Sequence, residues 1–161
     1  MLRNLSGSLQ NTLTYKNFDL TFNLSFTLGG YSYDNGMYAL LDDGNNASLN
    51  KSVKLRDRWQ NPGDITDVPQ YYHGNGWGGW YNSSRGIQSS DHIRLKNLIL
   101  NYRLPQKWIS KVKMQNAKIF VSGTNLLTFA AYDQWDPELI GAVGFGVPPL
   151  KTISLGIELT F

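Results

Sequence analysis

The sequence predicts an all-β fold: about five strands of a large transmembrane antiparallel β-barrel with long extracellular loops, incomplete as a closed barrel. Three observations predict it. Apolar and polar residues alternate with period two over five segments. Each segment is about ten residues long, above the usual five or six of globular strands and close to what a tilted strand needs to cross a bilayer. The polar side of the alternation is Ser, Thr, Asn and Gln rather than Lys and Glu, in a chain of 161 residues with 17% charged and 13% aromatic residues.

The elements follow in order. In residues 5–15, Leu5, Leu9, Leu13 and Tyr15 oppose Ser6, Ser8, Gln10, Thr12 and Thr14. Residues 19–28 alternate most cleanly, with Leu20, Phe22, Leu24, Phe26 and Leu28 against Asp19, Thr21, Asn23, Ser25 and Thr27. Lys16-Asn17-Phe18 leaves room only for a tight turn, so these two segments form a hairpin. A long connection follows, in which Leu49, Val53 and Leu55 stand near helical spacing and Asn46 or Ser48 can cap, predicting one short helix within residues 48–59. In residues 93–104, Ile93 and Leu95 share one phase while Leu98, Leu100, Tyr102 and Leu104 share the other, which places a bulge near Lys96 or Asn97. Residues 117–124 alternate again, although Phe120 falls on the polar side. The last segment sets Ile153, Leu155, Ile157, Leu159 and Phe161 against Ser154, Gly156, Glu158 and Thr160.

A soluble β-sandwich also alternates, but its solvent face normally carries charge. The connections favour the barrel: they are short, long, medium and long in turn, as periplasmic turns and extracellular loops alternate in outer-membrane barrels. With Phe161 at the periplasmic rim, the hairpin at Lys16 and the connection over residues 105–116 are periplasmic. Five strands cannot close, since bacterial single-chain barrels begin at about eight. An open sheet edge is unacceptable in hydrocarbon, so the chain is one part of a larger unit.

Other classes recede. No run of about 18 apolar residues can form a transmembrane helix. Residues 1–15 lack an apolar signal-peptide core, so the targeting signal is not expected in this chain. The absence of cysteine removes disulfides, thiol nucleophiles and Cys-based zinc sites. A net charge of +3 comes from scattered Lys and Arg, with the densest group, Lys51, Lys54, Arg56 and Arg58, interrupted by Asp57; no nucleic-acid partner is expected.

The residues also carry a family resemblance along the whole chain. It rests on Tyr15-Lys16-Asn17-Phe18-Asp19-Leu20, then Arg58-Trp59, Asn61-Pro62-Gly63-Asp64, Thr66-Asp67 and Pro69. It continues in Ile93-Arg94-Leu95-Lys96-Asn97, Leu100-Asn101-Tyr102-Arg103-Leu104-Pro105 and Val121-Ser122-Gly123-Thr124-Asn125-Leu126-Leu127-Thr128-Phe129. Tyr132, Asp136-Pro137-Glu138, Pro148 and a closing strand ending in Phe161 complete it. In this order and spacing the chain resembles the C-terminal part of the SusC/RagA family of TonB-dependent outer-membrane transporters of Bacteroidetes. The resemblance implies a barrel of about 22 strands closed by an N-terminal plug, of which residues 1–161 supply the last five strands and no plug. It implies as partners the remainder of the barrel and plug, a SusD-like surface lipoprotein, TonB acting through the missing N-terminal part, the barrel-assembly machinery reading Phe161, and the lipid bilayer. Oligosaccharides, or peptides, are the implied substrates, imported across the cell outer membrane without catalysis or cofactor.

Candidate binding residues lie in the first long connection. Tyr71, Tyr72, Trp77, Trp80 and Tyr81 stand among glycines, beside Asn75 and Asn82. Their rings can stack on sugar faces and the amides can bond hydroxyls; the same rings can equally pack the loop or anchor a lid protein. Trp59 and the Pro62-Gly63 turn, with Asp64 accepting from backbone amides, read as structural. Asp133, Asp136 and Glu138 resemble paired glycosidase carboxylates only loosely. Asp42-Asp43-Gly44-Asn45-Asn46 resembles part of a calcium loop, but Val53 occupies the place of the bidentate Glu. His73 and His92 have no paired spacing, and no metal site is expected. Rival readings are a soluble β-rich carbohydrate-binding module and a glycoside hydrolase fragment.

Overall fold

The alternating segments become neighbours in one antiparallel meander. The computed structural model describes residues 5–41, 44, 48–72, 83–112, 114–132, 136–139 and 146–161. Among these the strands are β1 (Leu5–Tyr15), β2 (Phe18–Leu28), β3 (Tyr31–Tyr33), β4 (Ile87–Ser89), β5 (His92–Arg103), β6 (Asn116–Ala130) and β7 (Thr152–Thr160). A five-stranded sheet runs β1-β2-β5-β6-β7, and β3 pairs with β4 separately. The chain divides into two compact units: the large sheet (Arg3–Gly29, Asp91–Ala131, Pro148–Phe161), and a loop unit (Met1–Leu2, Gly30–Ser90, Tyr132–Val147).

Register keeps one side of the sheet apolar throughout. Leu9 pairs with Leu24 and Leu13 with Leu20; Phe22 pairs with Leu98 and Phe26 with Ile93; Leu100 pairs with Val121, and Val121 with Leu155. Directly opposed residues share a face, so these pairs form one apolar sheet surface. The expected bulge is present at Lys96: the register jumps from Asn97 to Leu95 opposite the adjacent Asn23 and Leu24. The extra residue lets Leu95 and Leu98 both face the apolar side, correcting the change of phase visible in the sequence. Opposite it, β6 spends two residues, Asn125 and Leu126, where β5 spends one. Asn125 takes the left-handed conformation at φ 51, and Asn tolerates that region better than most side chains.

Exposure is inverted relative to a water-soluble fold. On the inner strands Ile93 and Val121, of the apolar side, are 46% and 44% exposed, whereas Arg94, next to Ile93 and on the other side, is 1% exposed. A β-sandwich would bury the apolar face against a second sheet; the described residues of the sheet unit form no such layer. The strands of the large sheet span 11, 11, 12, 15 and 9 residues, as bilayer crossing requires. Among the described residues no helix is long and apolar enough to cross a membrane, which does not bear on strands.

One end of the sheet is closed by tight structure. Tyr15 pairs with Phe18 around Lys16-Asn17, and Lys16 takes φ 54, the positive φ that short hairpin turns demand. Asp19 Oδ1 accepts from the Thr14 hydroxyl at 2.7 Å and lies 3.1 Å from Arg103 Nη2. The Arg103 amide donates to Asn17 O, so β5 is tied to the hairpin turn. Phe18 and Tyr102 pack with ring centroids 4.7 Å apart. Beyond β5 comes a short helix that the periodicity does not predict. Here α1 is Asn35–Leu41, in the loop unit, and α2 is Gln106–Ile109, continued by a 3-10 turn, Ser110–Val112. α2 packs on β6, burying Ile109 and Ala117.

Two expectations are revised, and that for Phe120 is met. The helix expected within residues 48–59 is a five-residue 3-10 turn, Val53–Asp57, capped by Ser52, whose hydroxyl accepts from the Lys54 amide. Its side chains include no buried residue, so nothing rewards a longer helix. Phe120 does face the polar side, opposite Gly156; its ring occupies the space that a Cβ at Gly156 would need. β6 extends to Ala130 because the bulge carries the alternation past Thr124.

Neighbouring residues of β7 offer a test in the full-length protein reconstituted in lipid vesicles. Leu155→Arg on the apolar side should destabilise by about 2–4 kcal/mol in denaturant unfolding. Ser154→Arg, on the polar side, should cost less than about 1 kcal/mol; equal losses would contradict the assignment of faces.

Candidate functional site

The polar side of the sheet is built from hydroxyls and amides that meet across strands. Thr12 and Thr21 hydroxyls lie 2.9 Å apart. Asn23 opposes Asn97, Ser122 opposes Ser154, and Thr124 opposes Thr152. Lys118 Nζ and Glu158 Oε2 form an ion pair at 2.8 Å, partly exposed and therefore worth little in net stability. At the end of the sheet away from the hairpin turn, Thr27, His92 and Arg94 are buried. This surface can offer neutral donors and acceptors to a hydroxylated or amide-bearing solute.

In the loop unit, the motif around Trp59 acts as structure, as expected. The Trp59 amide donates to Val68 O, and the Asp64 amide to Asn61 O. Asp64 Oδ2 accepts from the amides of Gln60 at 2.9 Å and Asn61 at 2.8 Å. These bonds, Asn61 first and Gln60 second, hold the Asp64 carboxyl below its ordinary pKa of 3.8. Gly63 takes φ +104, which the Pro-Gly turn requires. Thr66 supports the same fold, its hydroxyl donating to Asp57 O and accepting from the Val68 amide.

Of the candidate ligand residues, Tyr71 is half-buried and Tyr72 exposed. The Tyr72 hydroxyl donates to Gln70 Oε1 at 2.8 Å. The Tyr72 backbone passes so close to Gly44 that a Cβ there would collide with the Tyr72 carbonyl. Asn75, Trp77, Trp80, Tyr81 and Asn82 lie outside the described residues, as do His73, Asp133, and Asp42, Asp43, Asn45 and Asn46 around Gly44. Asp136 Oδ1 accepts from the Glu138 amide, and the Leu139 amide donates to Asp136 O, so Asp136 organises a turn. Tyr132, conspicuous in the sequence without an assigned role, donates its hydroxyl to Asp34 Oδ2 at 2.9 Å. Asp34 had no signal in the sequence; its amide also donates to Gly86 O. Among the described residues no three His, Asp or Glu side chains come together as a metal site would need.

No protein-family model matches the sequence, but individual relatives do. TonB-dependent receptor P3 of Formosa agariphila is 30% identical over 94% of this chain and 16% of its own length. TonB-dependent receptor SusC of Bacteroides thetaiotaomicron is 25% identical over 95% of the chain and 15% of its own length. Among solved structures, the RagAB peptide importer in its closed-closed state superposes with a TM-score of 0.80 at 28% identity, over 97% of this chain and 17% of that one. The chain belongs to the SusC/RagA-type TonB-dependent receptors. It spans about a sixth of the length of these relatives, and it is a part of their barrel fold.

The SusC/RagA motifs now have local physical roles. The Asp19 of the hairpin motif ties Thr14 and Arg103 together. The Gly123-Thr124-Asn125 motif houses the β6 bulge, where Asn125 Nδ2 donates to Leu150 O at 3.3 Å. Asn61-Pro62-Gly63-Asp64 is a turn whose carboxylate must stay ionised to accept both amides. Because the folded pKa is lowered, the bonds contribute fully above pH 3.8 and weaken as pH falls through the lower folded value. Hydrogen exchange of residues 60–64 in the full transporter, corrected for intrinsic rates, should therefore be pH-independent from neutral down to about pH 4 and rise below it. Asp64→Ala should give the raised rate at every pH; a pH-independent profile in the parent would refute this role.

Proposed function

We propose that the chain forms the last five strands of the wall of an outer-membrane TonB-dependent nutrient importer, acting by binding and passage without catalysis. Residues 1–161 contribute one partial barrel, with the plug and the remaining strands supplied by the rest of the protein. The observation that carries the reading is the inverted exposure of the sheet: on inner strand β5, Ile93 is open and the adjacent Arg94 buried. Hydrocarbon solvates the first side and a lumen accommodates the second. Among the described residues β1 and β7 each pair on one side only, and in hydrocarbon each unpaired backbone group costs several kcal/mol, so both edges call for further barrel strands.

The proposed substrates are oligosaccharides. The hydroxyls and amides of the lining suit sugar hydroxyls, and the loop aromatics suit sugar faces. Peptide is the second reading, favoured by likeness to the RagAB peptide importer. A SusD-like lipoprotein at the loops, TonB acting through the plug, and recognition of Phe161 by the assembly machinery complete the proposal. Phe161 follows β7 directly and is exposed.

Uptake by cells carrying the complete transporter tests the stacking role. Trp77→Ala combined with Trp80→Ala should weaken oligosaccharide uptake affinity roughly tenfold, since each stacked ring contributes about 0.5–1.5 kcal/mol beyond its burial. Unchanged affinity would remove the aromatic platform. Competition by peptides and not by oligosaccharides would move the substrate class to peptide.

A further inference from the structure

The connection between β5 and β6 does not simply turn; it folds back over the apolar side of the sheet. α2 and the 3-10 turn after it place Trp108, Val112 and Met114 along one wall of a cleft, with Ile119, Ile157 and Leu159 of the sheet along the other. The cleft holds about 310 Å³, and the described residues that line it are all apolar. Trp108 and Val112 remain 57% and 58% exposed, so the helical turn anchors through Ile109 and leaves its remaining apolar surface open. Lys107 and Lys111 are four residues apart on the same short helical run and are exposed. Among the described residues neither is in an ion pair.

A Trp beside an apolar groove, flanked by two cations, matches the chemistry of a membrane interface. Indole rings favour the headgroup level, hydrocarbon fills a dry groove, and lysines near the surface attract anionic lipid. We propose that this folded-back turn binds one anionic phospholipid, with an acyl chain in the cleft and the headgroup phosphate between Lys107 and Lys111. The cleft opens on the side of Leu155 and Ile157, the side assigned to lipid, so the occupant is a lipid rather than the imported solute. The proposal rests on the barrel-wall reading. It goes further in assigning a specific headgroup charge and a specific seat.

The test uses the complete transporter in nanodiscs of mixed phosphatidylethanolamine and phosphatidylglycerol. A photoreactive benzoylphenylalanine replaces Val112 in one preparation and Leu155 in another, and lipid adducts are identified by mass spectrometry. Both positions should cross-link to lipid, with phosphatidylglycerol enriched at position 112 over position 155 by about fivefold or more, the effect of about one surface lysine. Lys107→Gln with Lys111→Gln should bring that ratio near one while leaving the adducts at position 155 unchanged. Adducts at 155 with none at 112, or equal headgroup ratios at both positions, would overturn the lipid site and leave the barrel reading standing. Lipid adducts at neither position would overturn the barrel reading itself.

Discussion

Everything in the sheet depends on register. A strand has a side-chain period of two, so a slip of one residue exchanges its whole apolar set for its polar set. Five strands must therefore agree, and the pairing of Leu9 with Leu24, Leu24 with Leu95 and Leu95 with Leu127 shows that they do. Agreement is not achieved by perfect alternation. β5 changes phase at Lys96, and β6 absorbs the mismatch by an extra pair of residues around Asn125. Each successive strand from β2 to β6 takes one more residue at this level, which keeps every leucine on the same side while locally increasing twist.

The two ends of the sheet are held by different chemistry. At the hairpin end, Asp19 gathers the Thr14 hydroxyl and the Arg103 guanidinium, while Phe18 and Tyr102 pack on the apolar side. Polar tie and aromatic contact thus sit on opposite sides of the same few residues, because alternation sends adjacent side chains to opposite faces. α2 adds a third layer of apolar contact at this end, anchored by Ile109 and Ala117. At the other end the buried groups are polar, with Thr27, His92 and Arg94 among them. Burying arginine while leaving leucine open is the reverse of what water as the outer solvent favours, and it suits a hydrocarbon surround.

The described residues of the loop unit are held by backbone hydrogen bonds and turns, with Leu41 and Val68 buried among them. Asp64 holds the amides of Gln60 and Asn61, Thr66 bridges Asp57 and Val68, and Tyr132 reaches Asp34 across 98 positions of sequence. Gly44 is required where the chain passes the Tyr72 carbonyl. Several residues that read as chemistry in isolation are used here to shape the loop: Asp136 caps its own turn, and the Tyr72 hydroxyl is engaged by Gln70.

The sequence by itself determined the five strands, their two faces, the tight turn at Lys16 and the bulge at Lys96, because local alternation is a direct record of which solvent each side meets. It also pointed to the family, in which a relative is 30% identical over 94% of the chain. It did not reveal α1, α2 or the β3–β4 ribbon, each too short to develop a period of its own. Nor did it indicate that Asp34 would meet Tyr132, that Phe120 would lie over Gly156, or that Trp108 would fold back beside Ile157. Those were decided only by tertiary structure: each joins residues distant in the chain, and the partner that makes the contact favourable leaves no trace in the local pattern.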